Sequence, residues 1–150
     1  MISAHKVADF FLAFAREHGD FISQLKLQKM VYYADAWFLV NNNEPLIEED
    51  FEAWIHGPVV RSLYQRFKEY RWNPILEDIE LPELTSEQKE HLTEIYQVFG
   101  KFSGYELEQM THNEYPWIEA RGNCAPDEAC EKIIKKNIML DFYNKVAEEE

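Results

Sequence analysis

Four side chains have the chemistry of metal ligands or of partners in nucleophilic catalysis, and they fall in unusual surroundings: His56, His112, Cys124 and Cys130. His56 stands directly before Gly57-Pro58 in "AWIHGPVVRSLYQRFKEY", residues 53–70. With Pro58 in the first turn of a helix, the dipole of that helix would disfavour an imidazolium and keep the ring neutral. A neutral histidine can act as a base or a ligand. It can equally be a hydrogen-bonding plug that ties an extended segment to a helix. Catalysis needs a nucleophile and an orienting group beside it, and the sequence supplies neither, so the structural reading carries more weight.

The second unusual stretch is "THNEYPW", residues 111–117. The Thr111 hydroxyl can cap or close a turn. His112 is expected to pair with Glu114, Pro116 to fix the chain, and Trp117 to anchor it in the core. Such a segment reads as a specified helix-to-helix joint. The spacing of the two histidines and two cysteines follows no metal-site pattern, and no metal or cofactor is expected. Cys124 and Cys130 do not form Cys-x-x-Cys, and two free thiols fit a reducing cytoplasm. The chain has no GxGxxG, Walker A, HExxH or GxSxG sequence. "GPVV" is no phosphate loop, because Pro58 lacks an N–H that a cradle needs. The acidic stretch 44–52 reads as a solvated face rather than a cation site. Trp54, Tyr64 and Phe67 could form a binding hot spot, but core packing is the commoner fate of large aromatics in a small domain.

The elements that must position these residues are mostly helices. Ser3 caps a first helix ending near Gly19, with Val7, Phe10, Phe11 and Phe14 at helical spacing. Ser23 caps a second, whose stretch from Met30 to Val40 is apolar nearly all round and marks the centre of the fold. Phe51, Ala53 and Ile55 alternate and suggest short extended structure or a small hairpin near residues 46–56. A third helix follows, with Val60, Leu63, Tyr64, Phe67 and Tyr70 facing inward. Thr85 and Gln88 form a capping box for a fourth, with Leu92, Ile95, Tyr96 and Phe99 on its inner face. Ser103-Gly104 breaks the chain before the short helix "YELEQM". Another short helix starts at Pro116 and ends at Gly122. A last helix has Ile138, Phe142 and Val146 on its apolar face. The fold class is mainly α: one compact multi-helix domain over residues 1–150 with a minor β element.

Composition sets bounds. The 150 residues are 46% hydrophobic and 15% aromatic, which is ample for one core and argues against disorder. The formal net charge is −13. That excess repels phosphate backbones, so nucleic acid is disfavoured as a partner, and it would steer a basic protein partner. No signal-peptide core or apolar run of membrane length occurs, so a cytoplasmic protein without a membrane partner is expected.

The same segments resemble a known family. "KLQKMVYYADAWFLV", "PLIEEDFEAWIHGPVVRSLYQRFKEY" and "THNEYPWIEAR" are similar to the successive signatures of the Panacea antitoxin domain, also called SocA-like or GepA-like phage-associated protein. Its Leu-Gln-Lys opening and Tyr-Tyr-Ala helix are met by Leu27, Gln28, Lys29, Tyr32, Tyr33 and Ala34. Its Ala-Trp-x-x-Gly-Pro-Val core is met by Ala53, Trp54, Gly57, Pro58 and Val59, with Leu63 and Tyr64 following. Its Thr-His…Pro-Trp turn is met by Thr111, His112, Pro116 and Trp117, with Ala120 and Arg121 after it. The resemblance runs from about residue 5 to about 145.

It implies a non-enzymatic bacterial or phage module, often borne on mobile elements, that neutralises an adjacently encoded toxin by direct binding. One branch of the family delivers its toxin to a host protease as an adaptor. Many members add a DNA-binding domain, for which this chain has no room. The motif residues, His56 among them, are expected to shape the scaffold. An exposed rim on the third helix, Arg61, Gln65 and Lys68, is the candidate toxin contact. Two rivals stand beside this reading: a phage regulatory protein with a host partner, and a hydrolase using His56 or His112 with a carboxylate.

Overall fold

The computed structural model describes residues 1–149. Two capped helices open the chain. Helix α1 spans Ala4–Glu17, and the Ser3 hydroxyl at its N-cap accepts from the His5 N–H. Helix α2 spans Gln24–Asn42, with the Ser23 hydroxyl accepting from Lys26 N–H. Its apolar residues lie all around its axis, and so do its buried ones: Leu27, Met30, Val31, Tyr32, Tyr33, Ala34 and Phe38 are all withdrawn from water. It packs against α1, α4 (Ser86–Phe99), α5 (Gly104–His112), α7 (Lys136–Glu149) and the sheet. A helix surrounded in this way is the axle of the domain.

The expected extended element is a three-stranded antiparallel sheet in the order β2-β1-β3. Strand β1 (Phe51–Trp54) turns through Ile55-His56 into β2 (Gly57–Val59), pairing Trp54 with Gly57 and Glu52 with Val59. Pro58 therefore lies in an edge strand, not in the first turn of a helix, which begins only at Arg61 (α3, Arg61–Phe67). A proline fits an edge strand because one of its faces needs no donor. The third strand, β3 (Ile133–Ile134), pairs with Phe51 and Glu52 from the far end of the chain. It precedes the last helix, which begins at Lys136.

Two further expectations are corrected by burial. Leu63 and Phe67 of α3 are fully buried, but Tyr64 is exposed and turns toward Trp54, with ring centroids 4.9 Å apart. In α7 the buried residues are Met139 and Tyr143, while Ile138, Phe142 and Val146 flank them half-buried. Helix α4 carries the Thr85–Gln88 capping box. Helix α5 carries a second, Ser103–Glu106, and runs on through Thr111 and His112, so these two residues are helical rather than part of a turn. Helix α6 (Tyr115–Arg121) has Pro116 in its first turn and Gly122 at its C-cap.

Candidate functional site: a hairpin locked over two helices, beside a cationic groove

The motif residues meet at the β1–β2 hairpin. Below it, α2 presents Gln28 and Lys29 one after the other. The Gln28 amide clamps the backbone of Val60: its oxygen accepts from Val60 N–H at 2.9 Å, and its nitrogen donates to Val60 C=O at 3.3 Å. Val60 is the N-cap residue of α3 and has no side-chain cap of its own. Gln28 thus fixes where the hairpin ends and the helix begins. The Lys29 ammonium donates to the Pro58 carbonyl at 3.0 Å and is 1% exposed. Burial pulls its pKa down to about 7, against the opposing pull of the Glu108 carboxylate.

Gly57 has φ +106°, a conformation that side chains with a Cβ rarely adopt. A Cβ there would lie 2.5 Å from Lys29 Cε and 2.9 Å from Thr111 Oγ1. The hairpin therefore touches α2 and α5 at once through a residue that has no side chain. Thr111 is fully buried and its hydroxyl donates back to the Glu108 carbonyl at 2.8 Å.

His56, at the tip of the hairpin, lies 3.2 Å from the Glu108 carboxylate through Nδ1. The partner that sets its environment is this carboxylate on α5, not the dipole of α3, which starts beyond the second strand. His112 does not pair with Glu114. It stacks on Trp117, with centroids 4.2 Å apart, and its Nε2 is buried without a hydrogen-bond partner among the described residues. Burial lowers its pKa, opposed by the Glu108 charge. Glu114 instead takes the Tyr33 hydroxyl at 2.6 Å and the Tyr143 hydroxyl at 2.8 Å. Burial raises the pKa of Glu114, and these two phenols pull the other way. The Tyr32 and Tyr143 hydroxyls lie 3.1 Å apart, and burial pushes both phenols up.

Trp117, buried as expected, donates its indole N–H to Trp54 C=O at 2.8 Å. Arg121, also buried, donates to Ala53 C=O at 2.9 Å. The third motif thus grips the first strand by its carbonyls. Leu27, Val59 and Leu63 are buried beneath.

Two residues that matter here are not evident from the sequence. Glu108 is the acid shared by His56, Lys29 and His112. Its place three and four residues before Thr111 and His112 puts all three on one helix face, and that spacing was the available signal. Asp35 is fully buried, accepts from the Leu46 and Ile47 N–H groups and pairs with Lys136. Cys124 and Cys130 are free thiols with their Sγ atoms 2.8 Å apart. Among the described residues no group of three or more His, Cys, Asp or Glu is placed to hold a metal.

An open groove of about 510 Å³ runs beside the hairpin. Trp54, His56 and Val59 form one wall, α3 with Arg61, Tyr64 and Lys68 another, and Arg71 and Trp72 the mouth. Of the expected rim, Arg61 and Lys68 line this groove and Gln65 is exposed on the helix outside it. Arg61 bridges Glu52 at 2.8 Å and Glu131 at 3.0 Å. Burial pushes Glu52 up, but hydrogen bonds from Arg61 and from the Trp54 indole outweigh it and hold the carboxyl below its ordinary range.

Fold and site together define a small helical domain whose internal polar network fastens a hairpin and whose open groove is rimmed by aromatic and cationic side chains. Residues 27–118 match the family model described as antitoxin SocA-like, Panacea domain, and the chain belongs to that family. The antitoxin SocA of Caulobacter vibrioides is 41% identical over 66 residues, covering 44% of this chain and 35% of that protein. The match thus spans about a third of the length of that curated relative. No solved structure matches. Among the described residues no helix is long and apolar enough to cross a membrane.

Proposed function

We propose that this domain is an antitoxin that neutralises a toxin encoded beside it by binding that toxin directly in the cytoplasm. The observation that supports this most is where the motif side chains direct their polar groups. Gln28, Lys29, Trp117 and Arg121 all bond to backbone carbonyls or amides of neighbouring segments, and Thr111 bonds to a carbonyl of its own helix. Groups committed in this way build a rigid platform rather than a reacting centre. The Thr111 hydroxyl, on the same helix as Glu108, is itself bound to a carbonyl. A binding module therefore accounts for the arrangement better than a hydrolase does. Around the platform, Arg61 and Gln65 stand exposed on α3 and Lys68 on the turn that follows it, and a rigid scaffold carrying such a rim suits a protein interface. The net charge of −13 favours a toxin that is basic as a whole.

The test is co-expression of the tagged domain with the product of the adjacent gene, followed by purification and a pulse-chase of the toxin. A stoichiometric complex with a stable toxin supports occlusion. A complex whose toxin is lost faster when the domain is present supports delivery to a protease. Recovery of a host protein with no toxin would move the host-partner reading to the front. A turnover that His56→Ala abolishes without changing the melting temperature would establish the hydrolase instead.

A further inference from the structure

We infer that the groove between the hairpin and α3 takes an acidic, extended segment of the partner protein, anchored by an apolar or aromatic side chain. The inference rests on the toxin-binding reading and gives that partner's contacting segment a chemistry.

The charge of the groove is opposite to that of the chain. Arg61, Lys68 and Arg71 line it with the carboxylate of Glu131, while the fourth basic residue of the lining, Lys29, is 1% exposed and spends its ammonium on the Pro58 carbonyl. The protein as a whole has 28 acidic and 15 basic residues. Arg61 is already paired with Glu52 and Glu131, so the local inversion is carried by Lys68 and Arg71, and an acidic segment complements them. Lys68 and Arg71 have no ion pair or side-chain hydrogen bond among the described residues, unlike Arg61. They are free to meet carboxylates.

The anchor follows from the aromatics. Trp72 is 70% exposed at the mouth, edge-on to His56 at 5.6 Å. Trp54 and Tyr64 pack together further in, with the Arg61 guanidinium 5.5 Å from the Trp54 ring. Tryptophan, tyrosine and arginine in one concave site are the residue types that dominate binding hot spots. Backbone geometry presents them: Arg71 has φ +55° and ψ −119°, a strained conformation for a residue with a side chain, and it ends the 3-10 turn Lys68–Tyr70 just before Trp72. Such strain is typical of positions that hold a side chain for a task. Strand addition to the hairpin is disfavoured, since Pro58 has no N–H and Lys29 already occupies its carbonyl. The segment is therefore held by side chains, not as a further strand.

The probe is a fluorescein-labelled peptide, Glu-Asp-Leu-Trp-Asp-Glu, read by anisotropy on the full chain at low and high salt. Its counterpart has Lys and Arg in place of the acids. The acidic peptide should bind, weaken with salt, and lose roughly tenfold or more in affinity with Trp72→Ala. The double variant Lys68→Glu with Arg71→Glu should abolish binding while its melting curve stays that of the wild type, since both residues are exposed. Equal binding of the basic peptide, no binding of either, or unchanged binding by the double variant overturns the inference. Displacement of the peptide by ATP with higher affinity than the peptide's own also overturns it, in favour of a small anionic ligand. Growth rescue separates the two readings. A double variant that has lost the peptide but still rescues cells from the toxin removes the groove and leaves the antitoxin standing. A wild type that binds the peptide but never rescues removes the antitoxin.

Discussion

Gly57→Ala is the sharpest probe of the hairpin joint. Two separate costs arise from one methyl group. The first is conformational: at φ +106° a residue with a Cβ is strained, at about 1–3 kcal/mol. The second is steric. The new carbon would stand 2.5 Å from Lys29 Cε and 2.9 Å from Thr111 Oγ1, and Lys29 is held by its bond to Pro58. Overpacking of this kind costs about 1–3 kcal/mol more. A loss near 4 kcal/mol lowers the melting temperature of a domain this size by roughly 8–16 °C. Gly19→Ala is the control. Gly19 has φ +76°, but a Cβ added there would meet no atom within 4 Å, so only the conformational cost, about 1–3 kcal/mol as at Gly57, should be felt. Urea unfolding followed by circular dichroism measures both variants under the same conditions. The difference between them, about 1–3 kcal/mol, is the close approach of hairpin to α2 and α5. If the two glycine variants lose the same stability, the joint is not tight and the argument for a rigid platform fails.

Other perturbations follow from the same geometry. Lys29→Met should flatten the pH dependence of stability between pH 7 and the ordinary lysine value of 10.5: there the unfolded chain holds a proton the native chain lacks, so wild-type stability rises with pH by up to about 1.4 kcal/mol per unit. Equilibrium unfolding of both proteins at several pH values checks this, and parallel curves would refute it. Glu114→Gln tests the opposite sign. The Glu114 pKa is raised in the native state, so its contribution is present below about pH 4.5 and is lost as pH rises through the native value; the amide, which keeps an acceptor for Tyr33 and Tyr143, should lack that loss. Gln28→Ala leaves the Val60 N–H and C=O without their partner and should cost about 2–4 kcal/mol in denaturant melts. His56→Ala, which removes a half-exposed ring and its bond to Glu108, should cost only about 1 kcal/mol in the same melts.

Local signals in the sequence carried as far as local physics reaches. Ser3, Ser23 and the Thr85–Gln88 pair cap the helices they were expected to cap, because an N-cap is settled by residues a few positions apart. The all-round apolar stretch from Met30 to Val40 became the central helix for the same reason. Pro58 was expected in the first turn of the third helix and lies in an edge strand instead, a place that suits a proline equally well. The choice was made by Gly57 at positive φ and by pairing with β1, neither of which a window around Pro58 reveals. Ile133–Ile134 carries no strand signal of its own, and only its distant partners Phe51 and Glu52 make it a strand. Tyr64 has the same periodicity as Leu63 and Phe67, yet the groove turns it outward toward Trp54. Within the site, the motif histidines were visible but their acid was not. Glu108 was one of 28 acidic residues until α5 was seen to lie under the hairpin.

The measurement that bears most directly on the account is a growth assay in which the adjacent gene is induced alone and then together with this one. The account predicts that the neighbour arrests growth and that the wild-type domain restores it. A neighbour that leaves growth untouched, or an arrest that the folded wild-type domain fails to relieve, would contradict it.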